Sequence, residues 1–149
     1  MKKSETGDVG ISHGRWHRKL LHILFIEDSP AAVRLTQETL KEILLRTQIT
    51  VVEDGEKALA FLRHDGEYAQ APRPDVIFLN FDLPGVDGCQ LLEEITNDAE
   101  LRAIPVVTFS SSNYTKDHLI AAGLVVLYLT KSLRRAQFLK LLKKLLRRM

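Results

Sequence analysis

Short, β-rich apolar runs recur along this chain between stretches of helical periodicity, and that alternation limits the fold more than any other feature. His22-Ile-Leu-Phe-Ile26 stops at Glu27-Asp28, and Ser29-Pro30 follows as an N-cap with proline at the first helical position. The helix that begins there places Val33, Leu40, Ile43 and Leu44 on one face and is expected to end near Arg46. Gln48–Val52 reads as a second strand, and Asp54 caps a second helix running through Leu62. The third strand is Val76–Leu79, with a helix from Cys89 to Asn97. Ile104–Ser110 is the fourth strand, Tyr114–Ala122 a short helix, Val125–Thr130 the fifth strand and Leu133–Met149 the last helix. The order is (βα)5. Strands apolar on both faces, joined by helix-length connections, predict an α/β fold with a parallel five-stranded sheet covered on both sides.

Between the second helix and third strand lies a polar loop, His64 to Pro74, with Gly66, Pro72 and Pro74. It is long for an α/β connection, which suits a contact surface or an inserted segment. The third strand itself runs into the stretch Asp75-Val-Ile-Phe-Leu-Asn80-Phe-Asp82-Leu-Pro84-Gly-Val-Asp-Gly88, a buried strand feeding a turn-rich loop.

In open parallel sheets the functional groups gather at the carboxyl ends of the strands. Here those ends carry Glu27-Asp28, Asn80, Ser110 and Lys131 after strands one, three, four and five. Adjacent carboxylates suit a hard cation such as Mg2+ that bridges to phosphoryl oxygens, and a lysine positions the same oxygens as a point charge. A hydroxyl one strand over donates to a further oxygen. Each residue alone is weak evidence, since a Glu-Asp pair more often caps a loop and a lone lysine is more often solvated. Their joint placement is what carries weight.

Over residues 21–146 the chain resembles the receiver domain of two-component response regulators. The resemblance lies in Phe-Ile-Glu27-Asp28-Ser-Pro, the third-strand motif with Pro84 and Asp87-Gly88, Ile104-Pro-Val-Val-Thr-Phe-Ser110, and Tyr128-Leu-Thr-Lys131. It implies a flavodoxin-like, doubly wound sheet of order 2-1-3-4-5, with residues 1–20 as a basic N-terminal arm and 21–149 as the receiver. The segment Gly66–Asp75 is similar to that of stand-alone receivers that partner phytochrome-type sensor kinases, a subgroup that suits the lack of a following output domain. The resemblance further implies roles. The position of Asn80 is the family's phospho-acceptor aspartate, and Glu27, Asp28 and the main-chain carbonyl of Asp82 match the metal ligands. Ser110 matches the switch hydroxyl, Lys131 the phosphate-pairing lysine, and Tyr128 the aromatic whose rotation reports activation.

Several positions depart from that pattern. Asn80 stands where the aspartate belongs, and Pro84 and Gly88 fix its register at offsets of four and eight. An amide cannot form an acyl phosphate, and its lack of charge weakens any Mg2+ site. Asp82 is not expected to substitute, because two residues on it should point away from the strand end. Asn80 is a candidate to hydrogen-bond Lys131. Ser132 replaces the usual proline, and with it goes the cheap cis peptide bond; a non-proline cis bond costs about 3 kcal/mol. The segment from Ser110 to Lys131 is about one residue short of the usual pattern. Either natural drift to a pseudo-receiver or an engineered Asp-to-Asn form would produce Asn80, and the further departures favour drift. Deamidation would regenerate the acceptor, but bulky Phe81 makes it slow.

Charge distribution gives a second line of inference. The net charge is +2; residues 1–20 contribute 5 − 2 = +3 and residues 131–149 contribute +8, so residues 21–130 carry 2 − 11 = −9. In the last helix Phe138, Leu141, Leu142, Leu145 and Leu146 recur at three-and-four spacing, with Lys140, Lys143, Lys144, Arg147 and Arg148 between them. The resemblance implies a homodimer through helix 4, strand 5 and helix 5, where those cations would meet acids such as Asp117 or Glu100 of a second copy. A module binding nucleic acid or an anionic membrane is the alternative, but no base-reading motif or aromatic interleaving accompanies the charges. His13, Trp16 and His17 belong to the arm and are a weak metal signal. Catalysis is not expected, because a phosphatase-type site would need an aspartate nucleophile where Asn80 stands. With one cysteine, Cys89, no internal disulfide, no signal peptide and no membrane span, the expected setting is the cytoplasm, with a sensor histidine kinase of the phytochrome type as partner.

Overall fold

A computed structural model describes residues 20–41, 47–83, 85–110, 127–130 and 140. Its strands are β1 (Leu21–Ile26), β2 (Thr47–Val52), β3 (Val76–Asn80), β4 (Val106–Ser110) and β5 (Leu127–Thr130). They form one parallel sheet in the order β2-β1-β3-β4-β5, as expected for this class of fold. The helices are α1 (Pro30–Leu40), α2 (Gly55–Arg63) and α3 (Gly88–Asn97). The arm, the fourth-helix segment 114–122, Pro84, Lys131, Ser132 and the last helix except position 140 lie outside the described residues.

Local chemistry accounts for where the helices start. Ser29 accepts a hydrogen bond from the Ala32 N–H, with Pro30 in the first turn where no N–H is needed. Asp54 caps α2 through the Lys57 N–H, and Asp87 caps α3 through Gln90. α3 therefore begins at Gly88, within a residue of the expected start, with Asp87 supplying the capping oxygen. The expected continuation of α1 toward Arg46 falls on residues outside the described ones. The described helix closes at Leu40 with Lys41 as the C-cap. β4 opens at Val106 rather than Ile104, since Pro105 contributes only a carbonyl, which accepts from Ile77.

All five residues of β3 are buried, which suits a central strand covered on both faces. Leu24, Ile26, Ile77 and Leu79 pack in one cluster with Phe61 and Leu62 of α2 and Leu91, Leu92 and Ile95 of α3. Phe25, Phe78 and Phe109, on neighbouring strands, meet ring to ring, with Phe78 edge-on to both others at centroid distances of 5.6 Å. Each such pair adds about 0.5–1.5 kcal/mol beyond its burial. The 64–74 segment is not an open loop. It turns through a 3-10 helix at Gly66–Tyr68, and Tyr68 lies edge-on to Phe61 with centroids 5.4 Å apart. Arg73 then donates to the Glu100 carbonyl at 3.3 Å, and Asp75 accepts from the His22 N–H at 2.9 Å. These contacts seat β3 beside β1.

Candidate functional site

Register brings the strand ends level. Ile26 pairs with Leu79, Asn80 with Phe109, and Ser110 with Thr130. Glu27, Asn80 and Ser110 are thereby brought to one rim, as the sequence predicted, and all three are buried, at 5%, 4% and 0% exposure. Thr130 ends β5, and Lys131, next in sequence, lies outside the described residues. Tyr128 occupies β5 as expected, with its side chain outside the description.

The acidic pair divides. Glu27 turns inward and Asp28 is exposed. Oε2 of Glu27 accepts the main-chain N–H of Asp28 at 3.1 Å and of Ser29 at 3.3 Å. The side-chain nitrogen of Asn80 lies 3.1 Å from each Glu27 oxygen and donates to that carboxylate. The other end of the Asn80 amide accepts the Asp82 N–H at 2.8 Å. The amide orientation is thus fixed from both sides: the carboxylate requires a donor and the N–H requires an acceptor. Among the described residues the Asn80 side chain bonds to Glu27 and to the Asp82 N–H, and Lys131, the partner suggested by the sequence, lies outside them.

Asp82 departs from the sequence expectation. Its carboxylate does not point away from the strand end, because Oδ1 accepts the Ser110 hydroxyl at 3.2 Å. The path of the loop explains this. The Asn80 oxygen clips the Asp82 N–H two residues on, closing a tight turn that folds the Asp82 side chain back over β4. The loop then passes Gly85 at φ +77°, a left-handed conformation that favours glycine. Between these points the Phe81 N–H stays in the ladder, donating to the Phe109 carbonyl at 2.8 Å. Its ring lies against Gly88, where an added Cβ would sit 2.8 Å from the Cε2 atom. Sequence reasoning missed both the Asp82–Ser110 and the Asn80–Glu27 bonds. The available signal was that β3 and β4 are neighbours whose ends place Asp82 and Ser110 on one rim.

The donor set does not fit a tight divalent site. The Glu27 carboxylate is engaged by three N–H groups, Asp28 is exposed, and position 80 offers an amide nitrogen toward Glu27 in place of an anionic oxygen. Among the described residues no three His, Cys, Asp or Glu side chains are grouped to hold a metal ion. Nearby on α3, burial pushes the Cys89 thiol above its ordinary range, and the charges of Asp87 and Glu93 add to the effect. The direction is opposite to the lowered range of activated thiols.

Comparison with known proteins bears on this geometry. Residues 23–143 match the model of the response regulator receiver domain. Response regulator Rcp1 of Synechocystis is 42% identical over 111 residues, covering 74% of this chain and 76% of that protein. The crystal structure of the phosphorylated cyanobacterial phytochrome response regulator RcpA superimposes with a TM-score of 0.72 at 39% identity, covering 85% of this chain and 91% of that one. The Mn2+-bound form of Rcp1 gives a TM-score of 0.70 at 38% identity, over 84% of this chain and 91% of that one. Among the described residues no helix is long and apolar enough to cross a membrane.

Proposed function

Because this chain belongs to the response regulator receiver family, we propose that it is a pseudo-receiver: a two-component signalling module that docks its partners but accepts no phosphoryl group at position 80. One observation carries the reading. The side chain at the acceptor position is an amide whose nitrogen is committed to Glu27 and whose oxygen is committed to the Asp82 N–H. Attack on a phosphohistidine phosphorus needs a carboxylate oxygen with a free lone pair directed at it. The Asn80 amide offers no anionic oxygen, and its nitrogen, not an oxygen, faces Glu27. Its place in the rim is otherwise that of an acceptor, with Ser110 on the adjoining strand end.

The partner that fits best is a sensor histidine kinase of the phytochrome type. Support comes from the likeness to RcpA and Rcp1, the first of which is a phytochrome response regulator. Contact with a second copy through helix 4, β5 and helix 5 is the accompanying proposal, supported by the eight cations and absent acids of residues 131–149 against an acidic body. Magnesium affinity is reduced, since the site holds an amide where a third carboxylate would stand. The module acts by binding rather than by catalysis.

The deciding experiment is incubation with acetyl phosphate, or with a phosphorylated kinase, in the presence of Mg2+, read by intact mass. The native chain should gain no mass, and an Asn80→Asp variant should gain one phosphoryl group. A phosphoryl adduct on the native chain would overturn the reading.

A further inference from the structure

We infer that the Asn80 amide takes the place of a divalent cation, tying together strand ends that a charged acceptor would drive apart, so that order in this pocket does not depend on metal. The inference deepens the pseudo-receiver reading and rests on it. Three observations carry it. Glu27 is 5% exposed and Asn80 4%, so water contributes little to screening either group. The Asn80 nitrogen is 3.1 Å from both carboxylate oxygens, the spacing of a good N–H···O contact. The same amide clips Asp82, whose carboxylate holds the Ser110 hydroxyl.

Asparagine and aspartate have nearly the same shape, so the contrast between them is one of charge. With aspartate at position 80, an anionic oxygen would stand where the nitrogen now stands, at 3.1 Å from two oxygens of a buried carboxylate. Two carboxylates at that separation require a shared proton or an intervening cation. Asparagine supplies the positive end of a dipole at that point, covalently attached and always present. The run of bonds Glu27–Asn80–Asp82–Ser110 then crosses from the end of β1 through β3 to β4 with no exogenous group in it. Cation availability cannot gate a pocket assembled in this way, whereas it would gate the aspartate form.

Thermal unfolding of the full chain in EDTA and in excess MgCl2 tests this, with Asn80→Asp and Asn80→Ala alongside. The native chain should melt at the same temperature in both conditions. Asn80→Asp should melt several degrees lower in EDTA and recover most of that loss in MgCl2. Asn80→Ala, which loses the tie without adding charge, should melt lower in both and show no response to Mg2+. A native chain stabilised by MgCl2 as much as Asn80→Asp, or an Asn80→Asp variant no less stable than the parent in EDTA, would overturn the inference. Should Asn80→Asp not fold in EDTA, the side-chain NH2 resonances of Asn80 in the native protein provide an independent readout. They should not move on titration with MgCl2, and a saturable shift sinks the idea. Failure here is distinct from failure of the pseudo-receiver reading, which is decided by phosphoryl mass alone.

Discussion

Replacing Gly88 by alanine should destabilise the protein through a single identifiable contact. The new Cβ would lie 2.8, 2.8 and 2.9 Å from Cε2, Cζ and Cδ2 of Phe81. Carbon atoms rest at about 3.5–4.0 Å, so the ring must retreat by roughly 1 Å. Its backbone cannot follow easily, because the Phe81 N–H is held by the Phe109 carbonyl at 2.8 Å. The ring must therefore turn about its own side-chain bonds, leaving part of its packing against Gly88 and the core. Overpacking of this kind costs about 1–3 kcal/mol. Alanine recovers up to about 1 kcal/mol over glycine in a helix, and less at the first position of α3. With about 0.5 kcal/mol recovered at that first position, a net loss of roughly 0.5–2.5 kcal/mol follows from these two figures. Urea unfolding should show a lower midpoint with an unchanged slope. Removing the ring should remove the clash, so Phe81→Ala combined with Gly88→Ala should be more stable than the sum of the two single losses predicts. A Gly88→Ala protein as stable as the parent, or strict additivity in the double variant, would refute the reasoning.

Three further outcomes are expected. A double-mutant cycle over Glu27→Ala and Asn80→Ala should give a coupling of about 1.5–3 kcal/mol, as for hydrogen bonds to charged groups; a coupling below about 0.5 kcal/mol would mean the buried tie contributes nothing beyond additivity. Stability should fall in alkali, because burial chiefly, then Glu67, holds the Tyr68 hydroxyl above its ordinary 10.0, and burial chiefly, then Asp87, holds the Cys89 thiol above 9.0. Both groups deprotonate more readily when unfolded, so their contribution is complete below those ordinary values and is lost as pH rises through the higher folded ones. Tyr68→Phe with Cys89→Ser should flatten that decline in a urea-midpoint series against pH, and an unchanged slope would count against the assignment. Finally, deamidation of Asn80 needs attack by the Phe81 nitrogen, whose N–H is committed to the Phe109 carbonyl. Prolonged incubation should leave the folded chain's mass unchanged while urea-unfolded chain gains about one mass unit; equal rates in the two states would contradict the protection.

Features set by short-range chemistry were the most legible in the sequence. Ser29-Pro30 and Asp54 marked helix starts that the structure reproduces, because capping needs only a side-chain oxygen and an N–H two or three residues away. The strands were found by their apolar runs, and their ends gave the rim on which Glu27, Asn80 and Ser110 meet. What the sequence hid was direction. Asn80 and Glu27 are 53 positions apart and Asp82 and Ser110 are 28 apart, so each pairing depends on register and loop path rather than on neighbouring residues. Counting residues from the strand end sent the Asp82 carboxylate outward; the clip from the Asn80 oxygen to the Asp82 N–H brings it back. The 64–74 segment, read as a polar loop, hid its contact with the core for a related reason. Its composition is that of an open loop, but one aromatic, Tyr68, finds Phe61 and folds the segment against the core.

Glu27 touches more than Asn80. The oxygen that takes part in the Asn80 contact also accepts the N–H of Ser29, and Ser29 in turn caps α1 through Ala32. A continuous line of hydrogen bonds therefore runs from the Ser110 hydroxyl on β4 to the first turn of the helix after β1. Linkage is reciprocal: if a partner docked beside β4 changes the affinity for one docked beside α1, the second changes the affinity for the first by the same factor. Substitutions at either end of this line, at Ser29 or at Ser110, therefore act on one connected set of bonds rather than on two separate ones.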